Sequence, residues 1–423
     1  MINPGSLRRP ATVFFPNHSR DVCGRAILHW FSALAAHLTF TLTPARLLYA
    51  TTFAVLAAGV CEADVVPSKP AVGPTGVVVQ GAFGGTIFGF DIDPNGTSGV
   101  LSESKSMPDG TLVSAVETFD QATGQILAVV SVTRRHDDFI TLGVVGNAVG
   151  LIEREHPLGL FHVERTFSVI DPLDSNMVTG PWTPPLGRKQ NIDQVKTDVG
   201  TSEVAVLAID FSRHGNTTVF TSDVGANTFG PAYELTDSDF NFELPPAMAF
   251  DSKTNQAILG HNARSPFIVP PQIGVLDLAT GAFTKFAGKG LGLINGIAVD
   301  SEDGIVCTTV SFVPTVQFYD LATRKGFSVR LPQAGDSLSR GQQVVFDPVN
   351  KLFLVAQEFT STGSSGSSIQ VFDTAGNFVE SIDDLNFANP ARVVPGRIAL
   401  NPNLRTGYVE GPHPGESLQS FNY

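Results

Sequence analysis

Short apolar runs, each ended by Asp or Asn and followed by a polar turn, recur along the second half of the chain. They read Ala247-Met-Ala-Phe-Asp251, Gly296-Ile-Ala-Val-Asp300, Gln343-Val-Val-Phe-Asp347 and Arg397-Ile-Ala-Leu-Asn401. Looser copies are Ala115-Val-Glu-Thr-Phe-Asp120 and Val206-Leu-Ala-Ile-Asp210. Runs of this length between turn signals predict buried strands. Each is followed by a second strand, such as Lys351-Leu-Phe-Leu-Val-Ala-Gln357. A strand–turn–strand phrase then completes the unit: Ile273 to Lys285, Val316 to Ser328 and Ile369 to Ser381. Within it, Asp277-Leu-Ala-Thr-Gly281 places Asp at the start of the turn and Gly where a positive φ is wanted.

Four strands in about 50 residues is the size of one β-propeller blade. A single blade has two apolar faces and two open edges, so it is stable only when stacked radially and closed into a ring. The expected fold is all-β, a six-bladed β-propeller with a seven-bladed ring as the alternative. The N- and C-terminal strands are expected to share a blade, with Thr86–Asp93 completing the one begun at Arg397. Between Asp120 and Asp210 the chain holds either one blade with a long insertion, about 134–161, or two blades. The alternative count rests on that interval.

The expected organisation is a tail over 1–25 that a start codon assigned too early would explain, an apolar targeting segment over 26–63, a linker over 64–75 and the propeller over 76–423. Leu47 to Val60 is uncharged and apolar, follows Arg46 and precedes Cys61-Glu62-Ala63, which fits a signal peptide. The expected location is therefore exported, periplasmic or extracellular, with no stable membrane span in the mature protein; a retained membrane anchor is the alternative. The net charge is −13, and residues 1–63 are themselves basic, so the body is more acidic still. That balance excludes nucleic acid as a partner, because phosphate neutralisation needs Lys and Arg. It suits a cationic ligand or a divalent cation such as calcium. Only Cys307 lies beyond the targeting segment, in an apolar run that predicts a buried, inert thiol. Phe is abundant (31 against 2 Trp), as expected if Phe fills the space between stacked sheets.

Asn295-Gly-Ile-Ala-Val-Asp300 and Ile369-Gln-Val-Phe-Asp-Thr-Ala-Gly-Asn-Phe378 resemble the NHL-repeat consensus, and the Asp-Leu-Ala-Thr-Gly hairpins resemble the YVTN-type repeats of secreted bacterial propellers. The resemblance is good over about 245–402 and holds in outline over 75–245. It implies a propeller of the TolB-like superfamily without fixing a chemistry. A more distant similarity to gluconolactonase- and regucalcin-like propellers would make Asn295 a metal ligand, with Glu203 as a weak counterpart of the Glu and no counterpart of the Asp.

Candidate ligand-binding residues come from the face where inner strands begin and second strands end. Asn295, Gln342 and Arg397 stand at strand entrances; Asp223, His261, Glu358 and Glu410 are read as the ends of second strands. Asp91-Ile-Asp-Pro-Asn-Gly96 matches half of an EF-hand loop, but position twelve is Ser102, and a hairpin turn explains the same residues. His136, His156 and His162 fall in the 134–161 insertion or beside it, near Glu153 and Glu155. Glu153 and His156 have i, i+3 spacing, but nothing in the sequence makes the segment helical, and a polar surface is the expectation. No nucleophile elbow, CxxC, P-loop or dinucleotide fingerprint is present. The expected function is a binding or scaffold module, monomeric, acting through the channel face on a small polar ligand or a protein partner. The alternatives are a metal-dependent lactone hydrolase and a structural envelope protein.

Overall fold

The computed structural model describes residues 71–423 except 135–137, 146–148, 160–161, 171–177, 188–189, 198–202, 211–215, 236–246, 262–269, 290–291, 311–312, 333–339, 362–363, 386–396 and 412–416. Among these residues seven antiparallel sheets are formed. The first strands of blades 1 to 7 are Thr86–Ile92, Asp138–Val145, Gln190–Thr197, Ala247–Asp251, Ile294–Asp300, Arg340–Asp347 and Ile398–Asn401. Each lies beside the first strand of the next blade, and the seventh lies beside the first. They are the inner strands of a closed ring around a central channel.

The six-blade count is one short. The interval 134–161, expected to be an insertion, supplies Asp138–Val145 and Val149–Gly159, the first two strands of blade 2. Ala115–Asp120 belongs to a third strand (Leu112–Asp120) and Val206–Asp210 to a second strand (Glu203–Asp210), so neither opens a blade. The physical reason is that every strand of a propeller except the outermost is covered on both faces. Apolar runs therefore mark second and third strands as readily as first ones.

Both ends of the chain share blade 7, as expected, but through a different strand. Ile398–Asn401, Thr406–Glu410 and Leu418–Asn422 are followed in space by Gly73–Val79, which pairs antiparallel with Leu418–Asn422. Thr86–Ile92 instead begins blade 1. Gly73–Val79 thus overlaps the stretch expected to be linker and forms the outer edge of the closing blade.

Four inner strands end in a buried polar residue, Asp251, Asp300, Asp347 and Asn401, and Asp93 directly follows a fifth. Their side chains hold the turns that follow, as where Asp347 Oδ1 accepts from the backbone N–H of Val349 and Asn350 at 2.9 Å. They also tie blades together. Lys351 of blade 6 donates to Asp300 of blade 5 at 3.0 Å, and the Tyr423 hydroxyl donates to Asp347 at 2.9 Å. Asn401 donates to the Gly96 carbonyl and to Gln121, both at 3.1 Å. The Asp91–Gly96 segment is therefore a hairpin turn, with Asn95 N–H donating to Asp93 at 2.8 Å. Aromatic side chains fill the gaps between blades. Phe318 packs edge-on to Phe353 and stacks on Phe327, and Cys307 is buried in the same cluster.

The crossover from blade 7 to blade 1, Gly81 to Gly85, is clasped by two fully buried carboxyls on blade 1, Glu103 and Glu117. Phe83 and Gly85 donate backbone N–H groups to Glu103 at 2.6 and 2.7 Å, and Ala82 donates to Glu117 at 2.8 Å. Lys105 donates to the Phe83 carbonyl at 2.6 Å. A Cβ on Gly81 would lie 2.3 Å from the Glu103 carboxyl carbon, so only glycine fits there. Burial is the main cause that pushes Glu117 up to about 8, reinforced by its hydrogen bond with Glu103 and opposed by Ala82 N–H. The second Glu117 oxygen, Oε1, has no donor; a proton shared by the pair satisfies it.

Two predictions follow from closure. Tyr423→Phe removes a hydrogen bond to a buried carboxylate and is expected to cost about 2 kcal/mol in urea unfolding; an unchanged midpoint would contradict the tie to Asp347. Because the folded pKa of Glu117 lies above its unfolded value of 4.5, its contribution is complete below that value and is lost as pH rises through about 8. Wild-type stability should therefore fall over this window by up to about 1.4 kcal/mol per pH unit. Glu117→Gln should flatten the decline; parallel curves would place its origin elsewhere.

Candidate functional site

The inner strands carry a recurring β-bulge near their entrances. Pairing shifts between Ile87 and Gly89, Thr141 and Gly143, Ile192 and Gln194, Ile294 and Gly296, and Gly341 and Val344. A bulge leaves its extra residue outside the ladder and re-aims it. Asn295 and Gln342, both chosen from sequence, occupy such positions. Asp193 of blade 3 occupies the equivalent one and was missed.

Arg397 immediately precedes the blade 7 inner strand, and its carbonyl accepts from Glu410 N–H at 3.3 Å. Glu410 is buried at the end of the second strand of that blade, so these two do share the entrance side. His261 ends the second strand of blade 4 (Gln256–His261), and Glu358 lies in that of blade 6 (Leu352–Ser361), opposite Arg340. The side chains of His261, Glu358 and Gln342 lie outside the described residues, as does the loop after His261. Asp223 does not join the group. It ends the third strand of blade 3 (Asn216–Asp223), pairs with Glu203 at the start of the second, and so lies on the opposite face, where it accepts from Ala226 N–H at 3.1 Å. Glu203 shares that face and cannot complete a metal set with Asn295 at the entrance. Among the described residues no three His, Cys, Asp or Glu side chains are grouped to hold a metal.

The polar centre of the channel is instead built on the blade 3 inner strand, Gln190-Asn-Ile-Asp-Gln-Val-Lys-Thr197. Its level in the ring follows from a repeated contact. Gln194 Oε1 accepts from Met248 N–H of blade 4 at 2.9 Å, and Gln343 Oε1 accepts from Ile398 N–H of blade 7 at 2.8 Å. Gln194 therefore matches Gln343, and Lys196 matches Val345, two residues before Asp347. The same level elsewhere holds Asp91, Ala249, Ala298 and Ala399, each two residues before the residue that closes its inner strand. The three alanines are buried in core clusters, and Asp91 and Lys196 are the charged residues at this tier among the described residues.

Gln194 is fixed by Met248, which turns its amide nitrogen to Asp193 at 3.1 Å. Burial is the main cause raising the Asp193 carboxyl above its ordinary range; the Gln194 hydrogen bond, Lys196 and Arg397 oppose it. Yet Asp193 keeps exposed surface. Burial also lowers Lys196 to about 8, Arg397 lowers it further, and Asp193 and Asp91 act in the opposite sense. Among the described residues no hydrogen bond or ion pair holds the Lys196 ammonium; its charged neighbours act through space. Chemically, two cations and two carboxylates influence one another here through space, a charge set suited to binding a charged small molecule.

Sequence reasoning missed Asp193 and Lys196 because their strand lacks the apolar run that marks the other inner strands. The signal was present in inverted form: a strand-length polar segment where a blade had to begin.

No protein-family model matches the chain, and no curated protein matches it in sequence. Among solved structures 980 chains match in fold, so the architecture is too widely shared to carry a function. One is a chain of the structure described as "Crystal Structure of Mitotic Checkpoint Complex", similar over 85% of this chain and 94% of that one, with a TM-score of 0.54 and 12% identity. At that identity the likeness is one of fold alone: the chain is similar to a β-propeller.

Proposed function

We propose that this protein is a binding module whose ligand enters the central channel and is held by Lys196, Arg397, Asp193 and Asp91. The observation that carries the reading is the half-buried Lys196 ammonium on the blade 3 inner strand, without a hydrogen-bond or ion-pair partner among the described residues. A cation drawn partly out of water without a partner costs stability unless something pairs with it. A bound anionic group supplies that partner. The apolar run before Cys61 supports export of the propeller, and the NHL- and YVTN-like phrases support kinship with secreted propellers that act by binding. Among the described residues no helix is long and apolar enough to cross a membrane.

A thermal-shift screen of small polar metabolites on wild type and Lys196→Met tests the reading. Ligands that raise the wild-type melting temperature should leave the variant unmoved, since stabilisation follows occupancy. Their affinity should also weaken as pH rises past about 8, where the ammonium loses its proton. Ligands that stabilise both proteins equally would place the site outside the channel.

A further inference from the structure

The outer strands of blades 5 and 6, Lys325–Arg330 and Phe378–Leu385, are open edges, since neither is followed by another strand in its sheet. Between them the rim carries an apolar strip. Phe327, Phe378 and Val379 are each nearly half exposed, and the two Phe are the only aromatic residues among the exposed large apolar ones of the described chain. They belong to one groove. Phe327 stacks on Phe318 with ring centroids 5.4 Å apart, Phe318 meets Phe372 at 6.1 Å, and Phe372 meets Phe378 at 6.0 Å. Gly376, in the turn before Phe378, lies so near that a Cβ there would stand 2.6 Å from the Phe327 ring. The aromatic ladder runs from the core between the two blades out to the rim, where its last rungs are left uncovered.

Charge sets this groove apart from the rest of the rim. Arg324, Lys325 and Arg330 put three cations and no carboxylate on the blade 5 side, whereas the blade 6 strand carries Glu380, Asp383 and Asp384 and no cation. Every other described outer strand holds at most one charged residue. Glu380 is turned to Arg405 of blade 7 at 3.9 Å, and Asp383 accepts from the Ser381 hydroxyl at 2.7 Å. Asp383 and Asp384 both stay exposed, as do the three cations. Charge of a single sign keeps open edges apart. Two adjacent edges of opposite sign instead attract a rim that carries the same pair in exchanged order.

We propose that the chain forms a two-fold dimer through this groove, with the axis parallel to the channel, so that blade 5 of each copy faces blade 6 of the other. The order of the charges selects this arrangement. A two-fold axis along the tangent of the rim would set blade 5 against blade 5 and blade 6 against blade 6, like charge on like. With the axis parallel to the channel, Arg330 stands level with Asp383 of the second copy, because both outer strands end on the entrance side. Phe327 and Phe378 of each copy then cover Phe378 and Phe327 of the other, as a self-complementary patch requires. This departs from the monomer expected from sequence, and it does not rest on the channel reading. Contact at the rim leaves both channels open with their entrances on one side, which suits engagement of a surface at two points.

The test is sedimentation equilibrium of the purified full chain over a range of concentrations. A dimer with a Kd of about 10 μM or below is expected. Arg330→Glu and Asp383→Arg, each verified as folded by circular dichroism, should each raise that Kd about tenfold or more. The combination of the two restores opposite charges at the same level and should recover most of the loss. A chain that stays monomeric throughout, or that assembles beyond two copies, would overturn the proposal. So would a dimer that neither substitution weakens, or one that the combined substitutions fail to restore.

Discussion

The ring depends on the buried carboxylates and amide that end the inner strands of blades 4 to 7. Asp251, Asp300, Asp347 and Asn401 are almost fully shielded from solvent. A carboxylate so placed is costly unless every lone pair is used. Each accepts from the turn that reverses the chain, and Asp300 and Asp347 also accept from a donor on the neighbouring blade. Lys351, Tyr423 and Asn401 supply or receive those bridges. The turn chemistry that gives each hairpin its register therefore also fixes the angle between blades, and the angle between blades sets how many complete the circle.

Closure places a second demand on the chain. Gly73–Val79 must pair with the last strand, and the Gly81–Gly85 crossover must pass directly into blade 1. Glu103 and Glu117 hold that crossover through three backbone N–H groups. A shared proton lets two carboxyls occupy one dry site without mutual repulsion. The ends of the chain are thereby fixed by hydrogen bonds that do not compete with the channel for charged residues.

The channel obeys the opposite logic. Most inner strands are apolar because both of their faces meet another blade, and at the Lys196 tier three of them carry alanine. Blade 3 departs from this with Asp193, Gln194 and Lys196 in one strand. Such departures from the local rule are expected where function competes with packing.

The repeated runs ending in Asp251, Asp300, Asp347 and Asn401 determined the strand order, the blade length, the Asp-led turns and the sharing of one blade by both chain ends. These are local properties: alternation, turn residues and length act within about 50 residues. Asn295, Gln342, Arg397 and Glu410 were legible as entrance residues for the same reason. Only the tertiary structure decided that blade 2 is a full blade, that Gly73–Val79 and not Thr86–Ile92 seals the ring, and that Asp223 belongs to the other face. Only it brought Lys196 within reach of Arg397, because two residues 201 positions apart in sequence meet across a channel that exists only once the ring has closed.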